Sequence, residues 1–295
     1  MIRELLELST KQYKQLVSLR RKIERKVMPG SNIRQLNPKN VSQWGVSVDI
    51  AADALLKGHV LAIPTDTLYG LVTLAEHSDK LYRIKRRHAQ KPFGVFVDRP
   101  ENIKQYCVQT VPDEFLKIIY PGPVTLLFER SDRIPSDFNP SSNTIGIRIP
   151  QARFARDLCR RMPLRLLAQT SANVSGCGRN PLCIQDFQEI WDDIDLIIDA
   201  GPIVENNGAE EGSTVIDLSL PGQFKMIRAG CAPIESMQLL REFGIRPAEE
   251  VERERLTDAG KALKILDIDL HEAHTAEKEE EEEEEEERHQ STGSK

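Results

Sequence analysis

The chain has 295 residues, 39% hydrophobic and 29% charged, which is enough to bury a substantial core. Mean hydropathy is −0.42, and no apolar run approaches the ~18–20 residues of a bilayer-spanning helix, so helical membrane integration is excluded. The net charge of −6 hides three unlike segments: 10 Lys/Arg against 3 Asp/Glu in residues 1–40, 22 against 24 in residues 41–241, and 8 against 19 in residues 242–295. Cys107, Cys159, Cys177, Cys183 and Cys231 include no CxxC pair, so they read as small apolar residues of a reducing compartment.

The N-terminal segment spaces Leu5, Leu6, Leu8, Leu16 and Leu19 as a helix would and carries a basic run from Arg20 to Lys26. Residues 1–40 therefore read as a basic extension: an RNA-contacting arm, or a weak mitochondrial transit peptide, against which Glu4 and Glu7 count. The Pro/Gly/Asn-containing stretch Met28–Asn40 reads as a linker. From residue 45 the pattern alternates between helix and strand signals. Val48–Leu56 has helical periodicity, and Val60–Ile63 is a buried strand stopped by Pro64. Ser78–Arg87 reads as a helix with Ser78 as N-cap, Phe93–Val97 as a strand, and Pro112–Ile119 as a helix ended by Pro121-Gly122-Pro123. Val124–Phe128, Thr144–Ile149 and Leu164–Ala168 are strand-like, with a basic helix at Ala152–Arg161 before the last of them. Leu196–Ile198, Thr214–Leu218 and Lys225–Ile227 complete the strands, which predicts one α/β domain over residues 45–235. From Arg246 the chain is charged and apolar-poor and contains nine consecutive glutamates, Glu279–Glu287. Residues 246–295 are thus expected to be a disordered acidic tail, solubilising or docking a basic partner.

Three polar clusters sit beside predicted strands. Pro64-Thr65-Asp66-Thr67-Leu68-Tyr69-Gly70 places short hydrogen-bonding groups where α/β folds bind ligands; an ordinary surface turn has the same composition. Lys85-Arg86-Arg87-His88 with Gln90-Lys91-Pro92 suits a triphosphate, an RNA backbone or a solvated helix end. Gln169-Thr170-Ser171-Ala172-Asn173 could form an oxygen-binding loop or a polar turn. Arg148 lies within the apolar strand Thr144-Ile145-Gly146-Ile147-Arg148-Ile149, so it should meet a carboxylate, from the protein or from a ligand. Gly212-Ser213-Thr214 and Ile227-Arg228-Ala229-Gly230 add a hydroxyl pair and another arginine at strand ends. Gly-x-Ser-x-Gly, His-Glu-x-x-His and Gly-x-Gly-x-x-Gly are all absent, which favours positioning a polyanion over covalent catalysis.

In order, Pro64-Thr65-Asp66-Thr67-x-Tyr69-Gly70, Lys85-x-Arg87 with Lys91-Pro92, Pro121-Gly122-Pro123-x-Thr125, Gly146-x-Arg148-x-Pro150, Ser171-Ala172-Asn173, Ser213-Thr214-Val215 and Arg228-x-Gly230 resemble the YrdC-domain family of threonylcarbamoyl-AMP synthases, particularly its animal members. The resemblance implies a twisted mixed α/β sheet around a positively charged cavity. It implies an enzyme that joins L-threonine, bicarbonate and ATP into L-threonylcarbamoyl-AMP and pyrophosphate, with Mg²⁺ carried on ATP and no metal-ligating residues of its own. The product would feed tRNA threonylcarbamoyladenosine formation by a separate transferase complex, in the cytosol and secondarily in mitochondria, with a tRNA contact on the basic surface. By the same resemblance Lys85 and Arg87 act at the phosphates; Arg87, Lys91, Thr144, Ser171, Asn173 and Arg228 bind ATP; and Thr67, Arg148 and Ser213 hold threonine, with Arg148 on its carboxylate. Departures are Arg86, where many relatives have glycine, Gln169-Thr170 in place of Ala-Pro, and Phe96, where some relatives place a threonine contact. A lid over ATP would come from residues 28–45. The competing reading is an RNA-binding regulatory protein with the same fold and no catalysis.

Overall fold

The computed structural model describes residues 32–36, 41–86, 91–163, 165–203 and 211–257. The chain forms two compact units, Met1–Ile245 and Arg246–Lys295.

The first unit begins with β1 (Ile33–Gln35), α1 (Val41–Leu56), β2 (Leu61–Ile63), β3 (Gly70–Leu74), α2 (Asp79–Ile84) and β4 (Gly94–Phe96). It continues with β5 (Cys107–Val108), α3 (Asp113–Ile119), β6 (Val124–Arg130), β7 (Thr144–Arg148), α4 (Arg153–Arg161) and β8 (Leu167–Ser171). It ends with β9 (Leu196–Asp199), β10 (Thr214–Asp217), β11 (Gln223–Arg228) and α5 (Pro233–Glu242). The strands form one sheet in the order β1-β9-β2-β3-β8-β4-β7-β6-β10-β11, with β5 added on β6. Pairing is mixed. β9 is parallel to β1 and β2, β4 to β7 and β6 to β10, whereas β3, β8 and β11 pair antiparallel. The expected mixed α/β sheet is what forms.

Alternating side chains divide two cores. Leu61 and Ile63 of β2 join one core and Ala62 the other; Val95 and Phe96 of β4 divide in the same way. In α1, Val48, Ala51, Ala52 and Leu55 recur at helical spacing and meet Phe154, Ala155 and Leu158 of α4 in one of those cores. The other core gathers Phe115 and Leu116 of α3, Leu240 of α5 and Leu81 of α2.

Several boundaries differ from the sequence expectation for physical reasons. The stretch read as a linker holds β1, which pairs parallel with β9 from Ile33↔Ile197 to Gln35↔Asp199, so residues 33–35 belong to the sheet and not to a free extension. β3 is buried at every position, so its sequence lacks the alternation that marks a half-exposed strand. β8 runs to Ser171, so Gln169 and Ser171 project from a strand and not from a loop after it. Ser78 stands at the N-cap of α2 but makes no side-chain capping bond. Arg86 has φ 49°, a left-handed conformation that glycine adopts without strain. Residues 248–257 are helical, and Arg246 pairs with Glu254 at 2.8 Å. Residues 1–31 and 258–295, on which the targeting and polyglutamate readings rest, lie outside the described residues. Among the described residues no helix is long and apolar enough to cross a membrane.

Gly230 marks a close backbone approach. A Cβ there would lie 2.2 Å from the Gly212 carbonyl oxygen and 2.5 Å from the Ser213 carbonyl. Gly230→Ala is therefore expected to cost about 3 kcal/mol or more. Gly45, inside α1 with nothing within 4 Å of its Cβ position, offers the contrast: Gly45→Ala should add about 0.5–1 kcal/mol. Urea denaturation of both variants checks the pair, and equal shifts would contradict the crowding at Gly230.

Candidate active site

Polar residues alternate with apolar ones along the middle strands, and that alternation makes the site. In β7, Ile145 and Ile147 enter a core while Thr144, Gly146 and Arg148 line a cavity of about 510 Å³. β6 does the same, with Leu126 and Phe128 inward and Thr125 and Leu127 on the cavity, and β8 contributes Gln169 and Ser171. Glycines keep the space open. A Cβ on Gly94 would lie 2.5 Å from the Gln169 side-chain nitrogen, and one on Gly146 would lie 3.2 Å from the Thr125 methyl.

The loop after β2 closes one side. Thr65 organises it: its hydroxyl donates to the Leu68 carbonyl at 2.6 Å and accepts from the backbone N–H groups of Thr67 at 3.1 Å and Leu68 at 3.2 Å. Thr65 and Thr67 both line the cavity. Between them, Asp66 accepts a charged hydrogen bond from the Arg148 Nη2 at 2.8 Å, with the two side chains only 7% and 6% exposed. The carboxylate expected for Arg148 is therefore supplied by the protein. The pair leaves Arg148 Nε and Asp66 Oδ2 buried without hydrogen-bond partners.

Across the cavity, Arg228 Nε and Nη2 donate to the Ser213 carbonyl at 3.0 and 2.7 Å, and Nη2 reaches the Ser213 hydroxyl at 3.1 Å. That hydroxyl also shares a hydrogen bond with Thr125 at 2.8 Å. Burial, followed by the Arg148 charge, pushes the Arg228 guanidinium below its ordinary pKa. Two guanidiniums near enough to repel make this wall receptive to an anion.

Thr67, Lys91, Thr144, Arg148, Ser171, Asn173, Ser213 and Arg228 thus share one cavity. Arg87 lies outside the described residues. Lys85 does not line the cavity. Its buried ammonium donates to the carbonyls of Ser171 and Asn173, each at 2.6 Å, and to the Asn173 side-chain oxygen at 3.2 Å. Asn173 in turn accepts from the Ser171 hydroxyl at 2.6 Å and donates to the Arg179 carbonyl at 2.9 Å. Lys85 therefore clamps the turn after β8 from behind. Phe96 is buried in a core and does not reach the cavity. The lining also includes Thr65, Thr125 and Gln169, which lie in the clusters and motifs read from the sequence but were given no role there, and Asn180, which was not singled out. Period-two spacing from Leu127 and Ser171 could have found Thr125 and Gln169, but nothing local marks Asn180. Among the described residues no group of three or more His, Cys, Asp or Glu is gathered to hold a metal ion.

A twisted mixed α/β sheet with a polar, arginine-bearing cavity on one face defines a small-ligand-binding α/β domain. Residues 53–230 match the Sua5/YciO/YrdC family profile, described as telomere recombination, and the chain belongs to that family. Threonylcarbamoyl-AMP synthase of Bos taurus is 42% identical over 227 residues, covering 75% of this chain and 81% of that protein; the Homo sapiens enzyme is 40% identical with the same coverage. The crystal structure of Pyrococcus abyssi Sua5 complexed with L-threonine is similar at TM-score 0.62 and 26% identity, covering 73% of this chain and 62% of that one. This chain therefore spans about three fifths of the archaeal protein.

If the ammonium of Lys85 holds the Ser171–Asn173 turn, Lys85→Met should lower stability by about 2–3 kcal/mol, because it removes charge-assisted bonds and strands buried carbonyls. A urea midpoint unchanged from wild type would contradict the clamp.

Proposed function

We infer that this protein is a threonylcarbamoyl-AMP synthase. It forms L-threonylcarbamoyl-AMP, the activated intermediate for tRNA threonylcarbamoyladenosine modification. One observation carries the reading: a chain 42% identical to a synthase gathers Thr67, Arg148 and Ser213 in the same cavity as Lys91, Ser171 and Arg228.

The chemistry fits the arrangement. The threonine amine adds to bicarbonate and water is lost, giving a carbamate. A carbamate oxygen then bonds to the α-phosphorus of ATP, and the bond to the β-phosphate oxygen breaks to release pyrophosphate. Every reactant is anionic or zwitterionic, so the protein's part is to offset repulsion and hold the groups in line. In this reading Arg148 grips the threonine carboxylate, with Thr67 and Ser213 beside it. Arg87, Lys91, Thr144, Ser171, Asn173 and Arg228 hold the nucleotide. Lys85 acts through the turn it clamps. Mg²⁺ would arrive on the ATP phosphates with water as its remaining ligands, neutralising charge there. The product passes to a separate transferase complex, and the basic N-terminal segment offers a tRNA contact. The location we propose is the cytosol, with mitochondria as a second site; the scattered unpaired cysteines support a reducing compartment.

With threonine, bicarbonate, ATP and Mg²⁺ supplied, pyrophosphate release should depend on threonine; release independent of threonine would sink the reading. Arg148→Gln should raise the threonine KM about 10- to 100-fold and the ATP KM less than about threefold, the range expected for losing hydrogen bonds to a charged group. Equal losses for both substrates would count against Arg148 as the carboxylate ligand.

A further inference from the structure

We propose that Asp66 is a positioning residue that sets the amino-acid half of the cavity by holding Arg148 against the Thr65–Leu68 loop. This inference rests on the synthase reading and deepens it.

The geometry makes the ion pair more than a local neutralisation. Asp66 lies in the loop joining β2 to β3 and Arg148 ends β7, and in the sheet β8 and β4 lie between β3 and β7. Strands stand about 4.8 Å apart, so three steps from β3 to β7 span about 14 Å at the level of the sheet. A direct contact at 2.8 Å therefore requires the loop to lean across the intervening strands. Thr67, the next residue, is carried with it onto the cavity wall. The pair thus fixes the separation of Thr67 and Arg148, which come from elements that are not neighbours in the sheet.

Among the described residues, the other side-chain hydrogen bonds of this loop stay within it. Thr65 braces the loop only internally, through Thr67 and Leu68. Arg148 makes its hydrogen bond to Asp66 with Nη2, and its Nε is buried without a partner. Asp66 uses Oδ1, and its Oδ2 is likewise buried and unpartnered. A single bond therefore orients a buried guanidinium, and losing it frees both the guanidinium and the loop. Asp66 is absent from the cavity lining, so it acts through Arg148 and Thr67 and not by touching substrate.

The test uses the full chain and three variants: Asp66→Asn, Arg148→Gln and the double. Asp66→Asn keeps the side chain's size and one acceptor oxygen but removes the charge. It should raise the threonine KM about tenfold, with the ATP KM within about twofold, since a charge-assisted bond is roughly twice as strong as a neutral one. In the Arg148→Gln background the same change should add less than about twofold, because the group it orients is already gone. The proposal is overturned by an unchanged threonine KM, by equal rises for both substrates, or by an additive double variant. Thermal shifts report the same split without turnover: threonine protection should be lost in Asp66→Asn and ATP protection kept. Should Asp66→Asn not fold, Asp66→Glu carries the test. It retains the charge but lengthens the arm, so it should weaken threonine protection while ATP protection stays, and full threonine protection there would overturn the proposal. Wild-type protein that releases no threonine-dependent pyrophosphate would refute the synthase reading itself, a result distinct from any of these.

Discussion

A guanidinium buried at the end of a strand is the constraint from which the site follows. Arg148 lies between Ile147 and Ile149, both in the core, and an arginine so placed must find a carboxylate or lose several kcal/mol. The partner comes from the loop between β2 and β3, with β8 and β4 intervening before β7, so that loop must fold across the sheet. The space it encloses is the cavity. Such a pair adds little net stability compared with an apolar substitute. Its value lies in geometry, because it specifies where two distant elements meet.

The second requirement is that one face of the sheet change character along its length. Where α1 and α4 cover that face, the strands present Leu61, Ile63, Phe96 and Leu167. Beyond the helices the same face presents Thr125, Thr144, Gly146 and Gln169 to the cavity. The opposite face stays apolar throughout, with Ile145, Ile147, Leu126 and Phe128 in one core. A rigid sheet thus carries polar groups on alternate positions, where neighbouring strands fix their spacing more tightly than loops would. Charge follows the same plan. Arg148 is matched by one carboxylate, while the guanidinium of Arg228 is held on the carbonyl and hydroxyl of Ser213.

Much of this was legible in the sequence, for reasons that separate local from non-local information. Arg148 within an apolar strand announces a carboxylate partner whatever the fold, and the short polar clusters at Thr67, Ser171 and Ser213 mark strand ends through local composition. Strands with alternating or bounded apolar runs, such as β2, β6 and β7, could be placed. β3 could not, because burial on both faces erases its period. β1 was hidden among linker-like residues, since only three of them pair and the edge of the sheet that recruits them is built by β9, more than 160 residues later. The identity of the carboxylate on Arg148 was equally inaccessible, because choosing Asp66 over a ligand depends on how far a loop leans, which no local pattern encodes.

Lys85 shows the same limit from the opposite side. Its place in a run of cations reads as a phosphate contact, yet its ammonium donates to the Ser171 and Asn173 carbonyls at 2.6 Å and to the Asn173 side-chain oxygen at 3.2 Å. A buried ammonium saturated by carbonyls is a poor ligand for phosphate, since leaving them would cost more than a surface lysine pays to turn toward an anion. The turn it holds brings the Ser171 hydroxyl and the Asn173 amide to the cavity wall. Lys85 and Asp66 therefore do similar work: each uses a buried charge to fix groups on the cavity wall. For a reaction whose partners repel one another, placing groups accurately before the reactants arrive is the larger part of catalysis.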